Sequence, residues 1–473
     1  MYAQGAAFRN RYIRPARYDQ YVGIVGISRK VIDNSQLHIE SSADRCSSAS
    51  ALAFMQGAYP PIPHVSCDTD VPSHNWLADG TVINYPMCGY QYPNIRTTVP
   101  KRDSDSIWSN GHESCTKLDK SLLMFSNNSV ADSIYENTKE FYSKLFDGVF
   151  NEAFPRSQAN FFNAHELSDY AQYRRNHESG FTSSVRSEDL DLLRHLAAQE
   201  QFLKYGHLGK TPSDLTSAIA GRTLASRTVA LFAENIESRG TRNKLNLAFA
   251  SHEPFLGFFA LAQLTTGPSA NLFSRLPEAG ATLTFELFSV DSEDIDDASP
   301  CDSPDCLREA TCDGTGSCDN APGIVTAGVS RITRRGRGRK NRRDTSNPAF
   351  VYPPIERLYV RFLYQNPNYT SPTWSPSSIN DDYTAYPLPL LTNGGVDSTA
   401  VSVPFRHFSD TMSAVGVANA STWCNVCEST ESVLFCKGAV DEPVAAKQTN
   451  RLMAAMLGSA GTLFVVAFVG LFA

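Results

Sequence analysis

Charge is scarce in this chain, and neither sign dominates. Of 473 residues, 19% are charged and the net charge is -7 at pH 7. That mild acidity excludes a general electrostatic attraction to nucleic acid. A glycine-rich phosphate loop is also missing: Gly23-Ile24-Val25-Gly26 is too short and isolated to be one, and reads as turn and core. The eleven cysteines form no tight quartet of metal-ligand spacing. Cys301, Cys306, Cys312 and Cys318 come closest, but intervals of four, five and five residues lack the paired C-x2-C knuckles of a zinc site. Nor is there an N-terminal apolar leader, because Met1 to Gly5 runs straight into Phe8-Arg9-Asn10-Arg11-Tyr12.

What is present points to a folded protein on a secretory route. A hydrophobic content of 42%, with 27 Phe, supplies a sizeable core for one large domain or two ordinary ones. Asn-x-Ser/Thr sequons at Asn127, Asn368 and Asn419, beside that cysteine count, favour an oxidising compartment. Leu452 to Ala473 is a 22-residue run without a charge, long enough to cross a bilayer of ~30 Å. It is expected to be a transmembrane helix, or the discarded signal of a glycolipid anchor attached near Gly438 and Ala439, with residues 431–451 as a polar spacer. Membrane delivery without a visible leader leads to the expectation that the chain's natural start lies upstream of Met1.

The stretch from Asn243 to Leu264 organises the rest. Leu245, Leu247 and Phe249 alternate as a buried strand. Ser251, His252 and Glu253 break the run, Pro254 opens a helix, and Phe255, Phe258, Phe259 and Ala262 give that helix an apolar face. Gln36 to Glu40 reads as a strand before a helix from about Asp44 to Gln56, with Ser41 and Ser42 offering capping oxygens. Further helices are expected over Ser133 to Phe150, Ser187 to Tyr205 and Arg222 to Glu237, and strands over Thr282 to Phe288 and Arg357 to Tyr364. His195, beside Arg194, reads as surface or packing. Between the last two strands lies a charged insert, residues 291–347, with an acidic start, four close cysteines and a basic run from Arg331 to Arg343. It is expected to be a mobile loop with two local disulfides.

The alternation implies an α/β fold: a mainly parallel central sheet flanked by helices, a smaller mostly helical part over roughly residues 67–215, and the C-terminal hydrophobic membrane helix. In such a sheet Arg45 and His252, both at strand-to-helix junctions, share the carboxyl edge where ligands bind. A guanidinium, an imidazole and the Glu253 acid meeting there suit phosphate-ester chemistry, Arg45 and His252 holding phosphate oxygens and the acid supplying a proton to the leaving oxygen.

These residues carry a resemblance. Ser42-Ala43-Asp44-Arg45 through Tyr59-Pro60-Pro61, then Ala250-Ser251-His252-Glu253, then Pro277 with L-T-F-E-L-F and Tyr359-Val360-Arg361-Phe362, resemble in order the motifs of the histidine acid phosphatases. The resemblance spans about Gln4 to Cys427 and treats residues 1–430 as one domain. It implies hydrolysis of phosphomonoesters through a phosphohistidine, with Arg45 clamping phosphate, His252 donating to it and Glu253 as proton donor, and no metal or organic cofactor. It also implies that Cys88 pairs with Cys424 or Cys427, while Cys46, inside a packed helix, is expected to be unpaired. The family's R-H-G-x-R-x-P nucleophile motif is absent: Arg194-His195-Leu196 and Arg406-His407-Phe408 share only two letters with it. Two alternatives therefore stand beside the enzyme, a catalytically inactive phosphatase-like surface binding module and a polyphosphate or inositol-phosphate specialist.

Overall fold

Two helical layers enclose a mixed sheet. The computed structural model describes residues 1–15, 23–61, 77–81, 90–181, 185–206, 215–290, 352–367, 383–392 and 398–437, and the backbone of 464–470. The charged insert, Cys67, Cys88 and residues 452–463 lie outside these. The strands are β1 (Leu37–Ser42), β2 (Ile95–Thr98), β3 (Leu245–Phe249), β4 (Ala281–Ser289), β5 (Leu358–Gln365), β6 (Thr384–Tyr386), β7 (Ser402–Pro404) and β8 (Phe464–Gly470). Their order is β2-β1-β3-β8-β4-β5-β6, with β7 also on β5. The pairs β1 with β2, β1 with β3 and β3 with β8 are parallel. Every pair from β8 onward to β4, β5, β6 and β7 is antiparallel. The sheet is thus half parallel rather than mainly so.

The C-terminal expectation needs correction. Phe464–Gly470 does not lie in a membrane helix: it is a strand hydrogen-bonded between β3 and β4 at the centre of the sheet. No helix among the described residues is long and apolar enough to cross a membrane. An uncharged, β-branched run satisfies a buried strand as well as a membrane helix, because both bury apolar side chains on all sides.

The helices used below are α1 (Tyr2–Phe8), α2 (Arg45–Ala58), α3 (Ser129–Leu145), α4 (Ala164–His177), α5 (Ser187–Gln201), α6 (Ile219–Glu237), α7 (Glu253–Leu261), α8 (Phe405–Val415) and α9 (Ala420–Val426). Side-chain alternation along β3 and β4 divides the core. Leu245, Leu247 and Phe249 pack with Phe8, Phe54 and Met55 of α1 and α2, the Phe54 and Phe249 rings 5.6 Å apart. On the opposite face Leu283, Phe285 and Leu287 meet Phe232, Phe258 and Phe408 of α6, α7 and α8. Glu286, between two of those inward residues, points the other way and is fully buried. Tyr12 Oη donates to its Oε1 at 2.7 Å, Arg361 Nε to its Oε2 at 2.7 Å, and Arg11 pairs with it at 3.3 Å.

α3, α4 and α5 build a separate apolar cluster around Phe150, Phe161, Leu167 and Leu193, which touches the sheet domain through Leu256 of α7. A further cluster is stapled by Cys115–Cys427, which are 312 residues apart in sequence, and by Cys424–Cys436. Those bridges occupy both candidate partners of Cys88, so neither expected pairing forms. Cys46 is free, as its place in α2 suggested.

Candidate active site

The parallel half of the sheet delivers three chain segments to one edge. β1 and β3 run side by side with Ser41 opposite Phe249, so both strands end there and feed α2 and α7. β2 ends at the same edge, Thr98 opposite Ser42, and leads through a short helical turn, Ile107–Asn110, to Gly111 and His112. A cleft of about 540 Å³ opens between these segments, lined among others by Asp44, Lys101, His112, Tyr205, Ser251 and Glu253.

Local capping decides what the two helix starts present to it. Asp44, rather than Ser41 or Ser42, caps α2: its Oδ1 accepts from the Cys46 and Ser47 amides at 2.9 and 2.8 Å. The start of α7 has no side-chain cap. His252 stands at its cap position and Pro254 follows in the first turn. Arg45 is exposed as the first residue of α2 and is not among the residues lining the cleft, although its neighbour Asp44 is.

Glu253 is the centre of the charge pattern. Its Oε1 lies 3.6 Å from His112 Nε2, its Oε2 3.9 Å from His252 Nδ1, and its side chain is only 14% exposed. Burial alone would raise this carboxyl, but the facing His112 and His252 bring it down to about 2. Glu253 is therefore a carboxylate throughout the ordinary acid range. His252 turns away from the open cleft. It is buried, its Nε2 lies 2.9 Å from Gln201 Oε1, and its ring stacks on His165 with centroids 4.8 Å apart. Burial lowers the affinity of His252 for a second proton, and burial with neighbouring His252 takes His165 down to about 3.

Behind the histidines is a polar layer contributed by the helical part. Glu200 pairs with Lys204 and accepts the His165 amide at 3.0 Å, while Gln201 Nε2 donates to Glu200 Oε2 at 3.2 Å. His112, His165, Glu200 and Gln201 were not singled out from sequence. A signal for His112 existed in principle, since Gly111-His112-Glu113 follows a third parallel strand, but Ile95–Thr98 is only four residues long inside a loop-rich stretch. Gln201 and Glu200 end a Leu-rich helix, and nothing local marks them.

Among the described residues no group of His, Cys, Asp and Glu is arranged to hold a metal ion. The cleft presents an ionised carboxylate between two imidazoles, beside a helix start without a side-chain cap.

No family model matches the chain, and no curated protein matches it. Among solved structures, the crystal structure of a phytase from Klebsiella sp. ASR1 is similar, with a TM-score of 0.44 at 10% identity over 88% of this chain and 85% of that one. At that level the likeness assigns no residue and no reaction.

Proposed function

We propose that the cleft binds phosphomonoesters and that the chain carries part of an acid-phosphatase-type site for their hydrolysis, with Glu253 in the proton-donor position. The observation that carries this reading is the ionised Glu253 facing the cleft between His112 and His252. A phosphomonoester has a second pKa of about 6. Below that it is a monoanion carrying its own proton, and that P–O–H donates to the Glu253 carboxylate. Glu253 accepts that hydrogen bond as a carboxylate and holds the proton only in passing, as it moves from the phosphoryl group to the ester oxygen that leaves. Lys101, which lines the cleft, offers a compensating positive charge. Arg45, one residue from the cleft-lining Asp44, is proposed as a phosphate clamp from the mouth, and His252 as the buried partner of Glu253 rather than as a direct cleft ligand.

The phosphohistidine step is a separate matter. The R-H-G-x-R-x-P motif that supplies the nucleophile in the histidine acid phosphatases is absent from this sequence, so the chain is proposed to bind phosphomonoester without forming the covalent intermediate. A second reading, an inactive surface binding module, is favoured by that absence and by the acidic lining of Asp44, Glu113, Asp119 and Glu253. The two disulfides support an oxidising, extracytoplasmic compartment. Attachment to a cell-surface or lysosome-like membrane through part of the C-terminal run stands as a proposal.

Calorimetric titration with phenyl phosphate at pH 5 tests the binding role. Glu253→Gln removes a charge-assisted acceptor and is expected to weaken binding roughly ten- to a hundredfold. Equal affinity of the variant and the parent would overturn the assignment, and steady phosphate release by the parent chain would overturn the claim that it lacks the covalent step.

A further inference from the structure

Gln201, the last residue of α5, lies where the polar layer behind the cleft turns toward His252. Its amide makes two bonds of opposite sense, Nε2 donating to Glu200 Oε2 at 3.2 Å and Oε1 lying 2.9 Å from His252 Nε2. Glu200 is held in place by Lys204 on one oxygen and by the His165 amide on the other. At neutral pH an ionised carboxylate only accepts, so the end of Gln201 facing it is the NH2 and the end facing His252 is the carbonyl. A carbonyl also only accepts, so His252 Nε2 carries a proton. The buried ring is neutral, which leaves Nδ1 as the lone-pair nitrogen. That nitrogen is on the Glu253 side, 3.9 Å from Oε2.

We infer that Gln201 is a positioning residue: by accepting from Nε2–H it fixes His252 as the Nε2–H tautomer, so that Nδ1, the nitrogen on the Glu253 side, is the one that takes up a proton. This rests on the proton-donor role proposed for Glu253. His165 from α4 stacks on His252 and His112 lies on the loop after β2, and both oppose a full positive charge on its ring.

The test needs no substrate. With 15N-labelled histidine in the full chain at pH 7, and His252 assigned by comparison with His252→Gln, its Nε2 is expected to give the protonated-type shift and Nδ1 the lone-pair type. Gln201→Leu removes the acceptor and is expected to give a mixture of tautomers. Gln201→Glu keeps the volume and places a carboxylate beside Nε2, which is expected to raise the His252 titration midpoint by about 1–3 units. A proton on Nδ1 in the parent, unchanged His252 signals in Gln201→Leu, or an unmoved midpoint in Gln201→Glu would each overturn the inference. Because none of these readouts involves phosphate, they fail independently of the phosphate-binding experiment.

Discussion

At the scale of single residues, buried charge in this protein is balanced locally, and Glu286 is the sharpest instance. It is 1% exposed, and Arg11 and Arg361 both rely on it. Burial would push its carboxyl up, but the two guanidiniums and Tyr12 bring it to about 2. A folded-state value below the unfolded one near 4.5 means a stabilising contribution that is complete above pH 4.5 and disappears as pH falls toward 2. The size implied is on the order of 3 kcal/mol. Glu286→Gln leaves two guanidiniums without their counter-charge, so urea unfolding at pH 7 is expected to show a loss of about 3–5 kcal/mol. The variant is also expected to lose less stability than the parent between pH 4.5 and 2. A change below about 1 kcal/mol would mean that the cluster is not balanced through Glu286.

At the scale of elements, the placement of the cleft depends on how closely α6 and α7 cross. A Cβ on Gly221 would stand 2.2 Å from the Gly257 carbonyl carbon and 2.3 Å from the Phe258 amide nitrogen. Both obstacles are backbone, so no side chain can swing aside. Gly221→Ala is expected to part the helices, to lower unfolding stability by about 1–3 kcal/mol, and to weaken phosphate binding, because α7 carries Glu253. Stability and binding indistinguishable from the parent would refute that close crossing. These elements were largely legible in the sequence. Alternation in Leu245 to Phe249 and in Thr282 to Phe288, and helical spacing in Phe255, Phe258 and Phe259, are local signals of the largest apolar side chains, although β3, β4 and α7 are buried on every side. The Ser251-His252-Glu253 break before Pro254 is a local signal as well. Capping was less legible, because Ser42 and Asp44 are both good caps and only the backbone geometry chose Asp44. The rest of the site was scarcely legible, His112 leaving only the faint signal of a four-residue strand before it. His112 and Gln201 lie 141 and 52 residues before Glu253 in the chain, and only the packing of the helical part against α7 brings them to it.

At the scale of the whole molecule, the sheet is completed by its last strand in sequence. β8 holds β3 on one side and β4 on the other, joining the parallel half that carries the cleft to the antiparallel half that carries Glu286. Removing residues 464–470 would leave two central strands with unpaired backbone groups. The shortened chain is expected to unfold in two separated transitions, or to associate through the exposed edges, where the full chain unfolds in one. A single transition at the same midpoint would show that β8 contributes nothing in solution. The misreading of this segment has the same root, since an apolar run records that it is buried and says nothing about what buries it.

The central claim is that the whole arrangement serves one proton-accepting carboxylate that receives a phosphomonoester in its acid form. Calorimetric titration of the full chain with phenyl phosphate at pH 5 and pH 8, repeated in buffers of different ionisation enthalpy, tests it most directly. The expected result is tighter binding at pH 5, weakening at least tenfold by pH 8 as the ester becomes a dianion and meets the Glu253 carboxylate, with the Glu253→Gln variant showing a flatter dependence. Binding that is equally tight at both pH values, or tighter at pH 8, would contradict it.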